Sequence, residues 1–123
     1  MSKVLIVEDD RNYREILAKV LAKEGIEVMC AEDGQRAVDI LLEKDVDLII
    51  LDLLMPNMDG VNFYYHLKNT IKKDIPVVIL TNLIEAPYPS GVKDFIIKAN
   101  VSLAELVGKI KLHLSQVNYT KKS

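Results

Sequence analysis

Five reactive side chains stand at the ends of short apolar runs. Glu8 and Asp9 follow Val4 to Val7, Asp52 follows Leu48 to Leu51, Thr81 follows Val77 to Leu80, and Lys98 follows Phe95 to Ile97. Three carboxylates gathered in one place repel each other unless a cation neutralises them. Oxygen-only donors with open positions suit Mg²⁺, which keeps part of its water and accepts phosphate oxygens. Asp52 could then turn a carboxylate oxygen on phosphorus as a nucleophile. The Lys98 ammonium would draw charge off the transferring group, and Thr81 would hydrogen-bond one of its oxygens. Taken singly, each residue has a plainer role as a turn cap or a solvated charge, so the chemistry depends on their being brought together.

The elements that must do so are legible. Leu48 to Leu51 are apolar without alternation, as in a central parallel strand covered on both faces, and Pro56 and Gly60 then turn the chain. Val4 to Val7 is a first strand. It feeds a helix with Tyr13, Ile16, Leu17, Val20 and Leu21 on its inner face and a stop at Gly25. Ile26 to Ala31 is a second strand, followed by a helix that buries Ala37, Val38, Leu41 and Leu42. After Gly60, Val61, Tyr64, Leu67 and Ile71 fall at helical spacing, and two more strands end at Thr81 and Lys98. Ser102 and Glu105 form a capping box for a last helix carrying Leu103, Leu106, Val107, Ile110 and Leu114. Strands alternating with helices imply right-handed crossovers and a parallel sheet covered on both faces. In such sheets ligands meet the carboxyl ends of the strands, where all five reactive residues lie.

The 123 residues, 50% hydrophobic, suffice for one well-cored domain over 1–117 with a polar tail over 118–123. Sixteen basic against 18 acidic residues leave a net charge of -2, too even for a nucleic-acid footprint or an anionic-membrane binder. The single cysteine, Cys30, reads as a small core residue in a reducing compartment, and neither a signal peptide nor a membrane span is visible, so a cytosolic location is expected. Asp10 and Asn12 read as caps of the first helix, His66 and His113 as surface residues, and Met55 and Met58 as packing residues or loop fillers rather than ligands.

Four segments carry a resemblance: Val4-Leu5-Ile6-Val7-Glu8-Asp9-Asp10, the run Leu51-Asp52-Leu53-Leu54-Met55-Pro56-Asn57-Met58-Asp59-Gly60, then Pro76-Val77-Val78-Ile79-Leu80-Thr81, and Phe95-Ile96-Ile97-Lys98. Together they resemble the receiver domains of bacterial two-component response regulators, the family of the single-domain chemotaxis regulator. The resemblance implies a flavodoxin-like, doubly wound sheet of five parallel strands in the order 2-1-3-4-5. It further implies that Asp52 accepts a phosphoryl group from a histidine kinase or phosphotransfer protein. Glu8 and Asp9, with Asp52 and the Leu54 carbonyl, would hold Mg²⁺. Thr81 and Phe95 match the family's switch pair and Lys98 its invariant lysine. Such a protein is a switch that catalyses only its own phosphoryl transfer and dephosphorylation.

Two departures bear on partners. Ala99 stands where the family usually has proline, so the loop after Lys98 is expected to keep a trans bond and take another route. Between Thr81 and Lys98 the chain is short, and Pro87, Pro89 and Gly91 leave room for at most one helical turn over Asn82 to Ser90. Loss of that helix is expected to expose Val78, Leu80 and Ile96, with Tyr88 folded back as a partial lid, and to favour a homodimer or a protein-specific docking surface. Among other readings, an aspartyl phosphatase would want an acid at Leu54. A flavodoxin-like cofactor module would want a phosphate-cradling loop where Glu8-Asp9-Asp10 would repel phosphate. A pseudo-receiver, binding proteins without phosphorylation, sits poorly with five filled positions. No output segment is expected after residue 117.

Overall fold

A computed structural model describes residues 1–55, 58–84 and 88–122, with side chains through 117. Five strands, β1 (Lys3–Val7), β2 (Glu27–Ala31), β3 (Leu48–Leu51), β4 (Val77–Thr81) and β5 (Asp94–Ile97), make one parallel sheet in the order β2-β1-β3-β4-β5. The order reverses between β1 and β3. That opens a crevice beyond their carboxyl ends, and Glu8 and Asp52 are the residues that leave it.

Side chains alternate across the sheet. Leu5, Val7, Ile49, Leu51, Val77 and Ile79 pack with α2 (Gly34–Glu43) and α3 (Gly60–His66). Val4, Ile6, Leu48, Ile50, Val78, Leu80 and Ile96 pack with α1 (Arg11–Lys23) and α4 (Leu103–Lys122). Both faces of β3 are therefore covered, which is why its sequence shows no alternation.

Side chains cap the helix starts, Asp10 as expected, whereas Asn12, also expected as a cap, lies inside α1. Asp10, Asp33 and Asp59 cap α1, α2 and α3 by accepting from Tyr13, Arg36 and Asn62 amides, and the side chains of Ser102 and Glu105 each accept from the other's amide at 3.1 Å. Helix α1 stops at Gly25, whose φ of 79° lets its amide reach Ala22 and that of Ile26 reach Leu21. The stretch after α3 departs from a regular helix: Leu67–Ile71 is a wide turn closed by the Lys72 amide on the Leu67 carbonyl. The backbone of α4 continues to Lys122, past residue 117.

Several burial expectations need correction. Val78, Leu80 and Ile96 are at most 3% exposed, because their parity in the strands turns them under α4. They offer no surface for the homodimer expected from sequence. The opposite face is where a helix between β4 and β5 would lie, and no helix occurs there among the described residues; Glu85, Ala86 and Pro87 lie outside them. Tyr88 folds back on Phe95 on that face, ring centroids 3.7 Å apart, and its hydroxyl donates to the Leu83 carbonyl at 2.9 Å; it is not the lid over Val78, Leu80 and Ile96 that was expected. Cys30 is exposed on the edge strand β2 rather than in the core. Ile16, Leu42 and Leu103 sit at the margins of their apolar stripes and face solvent, whereas Phe63, absent from the expected stripe of α3, is fully buried. His113 is mostly buried, with Nε2 2.9 Å from Asp94 Oδ2.

Candidate phosphoryl-acceptor and metal site

Asp52 is placed by the sheet and held by hydrogen bonds to four residues, Val7, Leu54, Thr81 and Lys98. Its amide continues the β1–β3 ladder onto the Val7 carbonyl at 3.0 Å, so the side chain emerges beside Glu8 at the reversal of strand order. The turn beyond it needs a glycine: a Cβ on Gly60 would lie 2.3 Å from the Asp52 carbonyl oxygen, so only a bare backbone lets α3 start this close.

Both Asp52 oxygens have donors. Oδ1 accepts from the Thr81 hydroxyl at 2.6 Å and from the Leu54 amide at 3.1 Å, and Oδ2 accepts from Lys98 Nζ at 3.0 Å. Thr81 is fully buried, and its oxygen also accepts from the Leu83 amide at 3.2 Å, which leaves its proton for Asp52. Neither Asp52 oxygen is unpartnered. Lys98, its side chain 12% exposed, bridges Asp52 and Glu8.

Glu8 is buried at 3% exposure, and burial raises its pKa from 4.5 to about 7; the Asp52 charge adds to the rise, and the hydrogen bond from Lys98 opposes it. Burial alone would lower the Lys98 pKa. Hydrogen bonds to Glu8 and Asp52 outweigh it and leave the ammonium above its usual value. The third acid, Asp9, is exposed. One oxygen from each of Glu8, Asp9 and Asp52 lies within 4.8 Å of the others, a hard, anionic donor set open to solvent on the Asp9 side, which fits a divalent cation such as Mg²⁺.

The expected residues thus converge, with two qualifications. Leu54 reaches Asp52 through its amide, while its side chain is 52% exposed. Phe95 pairs with Ile79, two positions before the Thr81–Ile97 pair, and packs on Tyr88, outside the carboxylate cluster. Pro56 and Asn57 lie outside the described residues.

Three further residues shape the site. The Lys98 ammonium lies 4.5 Å from the centre of the Tyr13 ring, Arg14 Nη1 donates to the Glu8 carbonyl at 2.7 Å, and Asn82 Oδ1 accepts from the Ala99 amide at 3.0 Å. Tyr13 carried a signal as an inward residue of α1. Arg14 and Asn82 carried none, since each acts across elements distant in sequence.

Residues 4–111 match the model of the response regulator receiver domain family. The chain belongs to that family. This receiver is also similar to solved relatives. One is the response regulator TrrA of Thermotoga maritima in complex with Mg²⁺-BeF, at 30% identity and a TM-score of 0.77, covering 92% of this chain and 99% of that one. Another is the signal receiver domain of a signal transduction histidine kinase from Syntrophus aciditrophicus, at 33% identity and 0.80, covering 95% and 92%. A CheY-like receiver domain protein from Methanospirillum hungatei aligns at 27% identity and 0.83, covering 96% and 98%. The receiver has no helix, among its described residues, long and apolar enough to cross a membrane.

Proposed function

We propose that this receiver is a cytoplasmic, phosphorylation-dependent switch that takes a phosphoryl group on Asp52 from a histidine kinase or phosphotransfer protein and changes its interaction surface in response. The observation that carries the reading is the setting of Asp52: buried at the reversal of strand order, donated to by Thr81, Leu54 and Lys98, and flanked by Glu8 and Asp9.

In the transfer, an Asp52 oxygen attacks phosphorus. The new aspartyl P–O bond forms as the P–N bond to the donor imidazole breaks, and that electron pair returns to the ring nitrogen. Oδ2 is the oxygen that can be freed, because its partner is the flexible Lys98 ammonium. Released from Oδ2 and still anchored near Glu8, Lys98 can follow the negative charge onto a phosphoryl oxygen. The Thr81 hydroxyl and the Leu54 amide hold Oδ1 throughout the approach.

Glu8, Asp9 and Asp52, with the Leu54 carbonyl, are the residues that would hold Mg²⁺, and the bound cation supplies neutralisation of the carboxylates and of phosphate charge. In this scheme the protein catalyses only its own phosphoryl transfer and dephosphorylation.

The reading is tested by incubation with a small acyl phosphate and Mg²⁺. Uptake of one phosphoryl group is expected, abolished by a chelator and shifted to higher Mg²⁺ in Asp9→Ala. Metal-independent uptake would contradict the assignment of the acids.

A further inference from the structure

Beyond the paired ends of β4 and β5, one hydrogen bond joins the two outgoing loops. The register sets Thr81 opposite Ile97, so Asn82 and Lys98 leave the sheet side by side. Asn82 Oδ1 then accepts from the Ala99 amide at 3.0 Å, at the second residue of the tight turn Lys98–Asn100, which starts without a side-chain cap of its own.

This bond closes a ring. The Thr81 hydroxyl holds Asp52 Oδ1, the peptide bond leads to Asn82, Asn82 holds Ala99, the next peptide bond leads back to Lys98, and Lys98 holds Asp52 Oδ2. Lysine has much rotamer freedom to lose, and its ammonium is placed only as well as the backbone that carries it. Asn82 is itself exposed, so the bond adds little to the core. Its position in the ring is where it has leverage.

We propose that Asn82 is the positioning residue for Lys98: by holding the Ala99 amide it fixes the turn from which the ammonium reaches Asp52. The effect on phosphoryl transfer rests on the function proposed above. The effect on Lys98 does not.

The test is therefore read twice. In isotope-labelled protein without any phosphodonor, Asn82→Ala is expected to speed exchange of the Ala99 amide and to shift the Lys98 side-chain NMR signal toward that of a mobile lysine. Asn82→Leu, of similar size but without an acceptor, should do the same, and Asn82→Asp, which keeps one, should restore both signals. With acetyl phosphate and Mg²⁺, the rate of uptake at saturating donor should fall about fivefold in Asn82→Ala, the loss matching one modest hydrogen bond, with the half-saturating donor concentration unchanged.

A Lys98 signal at its wild-type position in both Asn82→Ala and Asn82→Leu overturns the proposal. So does a raised half-saturating concentration with an unchanged rate, which would put Asn82 in contact with the donor instead. If the wild type takes no phosphoryl group while both variants still release Lys98, the functional reading fails and the positioning role stands.

Discussion

The Thr81 hydroxyl donates to Asp52 Oδ1 at 2.6 Å while its oxygen accepts from the Leu83 amide, so a fully buried side chain at the end of β4 fixes one edge of the carboxylate at the end of β3. The Leu83 carbonyl in turn accepts from the Tyr88 hydroxyl at 2.9 Å, so a short run of hydrogen bonds joins the carboxylate to Tyr88.

Replacing Thr81 by valine keeps the volume and removes the donor. We expect a loss of about 1–3 kcal/mol, because a buried carboxylate oxygen loses a hydrogen bond, and slower phosphoryl uptake. Thr81→Ser should retain most of both. Denaturant unfolding with uptake kinetics checks this, and a valine variant as stable and as fast as wild type would remove Thr81 from the site.

Glu8 gives the metal-free protein a pH dependence of defined sign. Its folded pKa is raised from 4.5 to about 7, so between these values the folded state holds more protons than the unfolded one. Stability therefore falls as pH rises through that window, and the loss is complete above about 7. Glu8→Gln should flatten the dependence and gain on the order of 1 kcal/mol at pH 8. Unfolding midpoints between pH 4.5 and 8, without divalent cations, check it; a wild-type stability that rises across the window would contradict the burial of Glu8.

The strand that ends on Asp52, the parallel sheet and the caps at Asp10 and Ser102 were readable in the sequence because each has a local signal: an unbroken apolar run, βα alternation, an acid or serine before a helix. The strand order came from the family resemblance. The error over Val78, Leu80 and Ile96 has the complementary cause. A strand buried on both faces shows no alternation, so its sequence cannot say which residues face α4 and which face the side of α2 and α3. Ile16, Leu42 and Leu103 failed for a related reason, as an apolar stripe marks a helix face but not how far the neighbouring element covers it. The site itself was legible as residues and not as bonds: Lys98 to Tyr13, Arg14 to the Glu8 carbonyl and Asn82 to Ala99 join positions that only the finished sheet brings together.

Leu54, whose amide bonds Asp52, and Leu83, whose amide bonds Thr81, both carry apolar side chains. Leu54 is half exposed and Leu83 half buried, and neither side chain can orient a water for in-line attack on an acyl phosphate. A phosphorylated Asp52 should accordingly be long-lived. In the double variant Leu54→Asn, Leu83→Glu the phosphoryl group should be lost at least about tenfold faster, the lower range of a positioned acid–base group. An equal lifetime in both proteins would show that flanking polarity does not set it.

The most direct test of the central claim is intact-protein and peptide mass spectrometry after incubation with acetyl phosphate and Mg²⁺. One phosphoryl group should appear on the wild type and map to the peptide containing Asp52, and none should appear on Asp52→Asn. Undiminished labelling of Asp52→Asn, with the modification on another peptide, would contradict it.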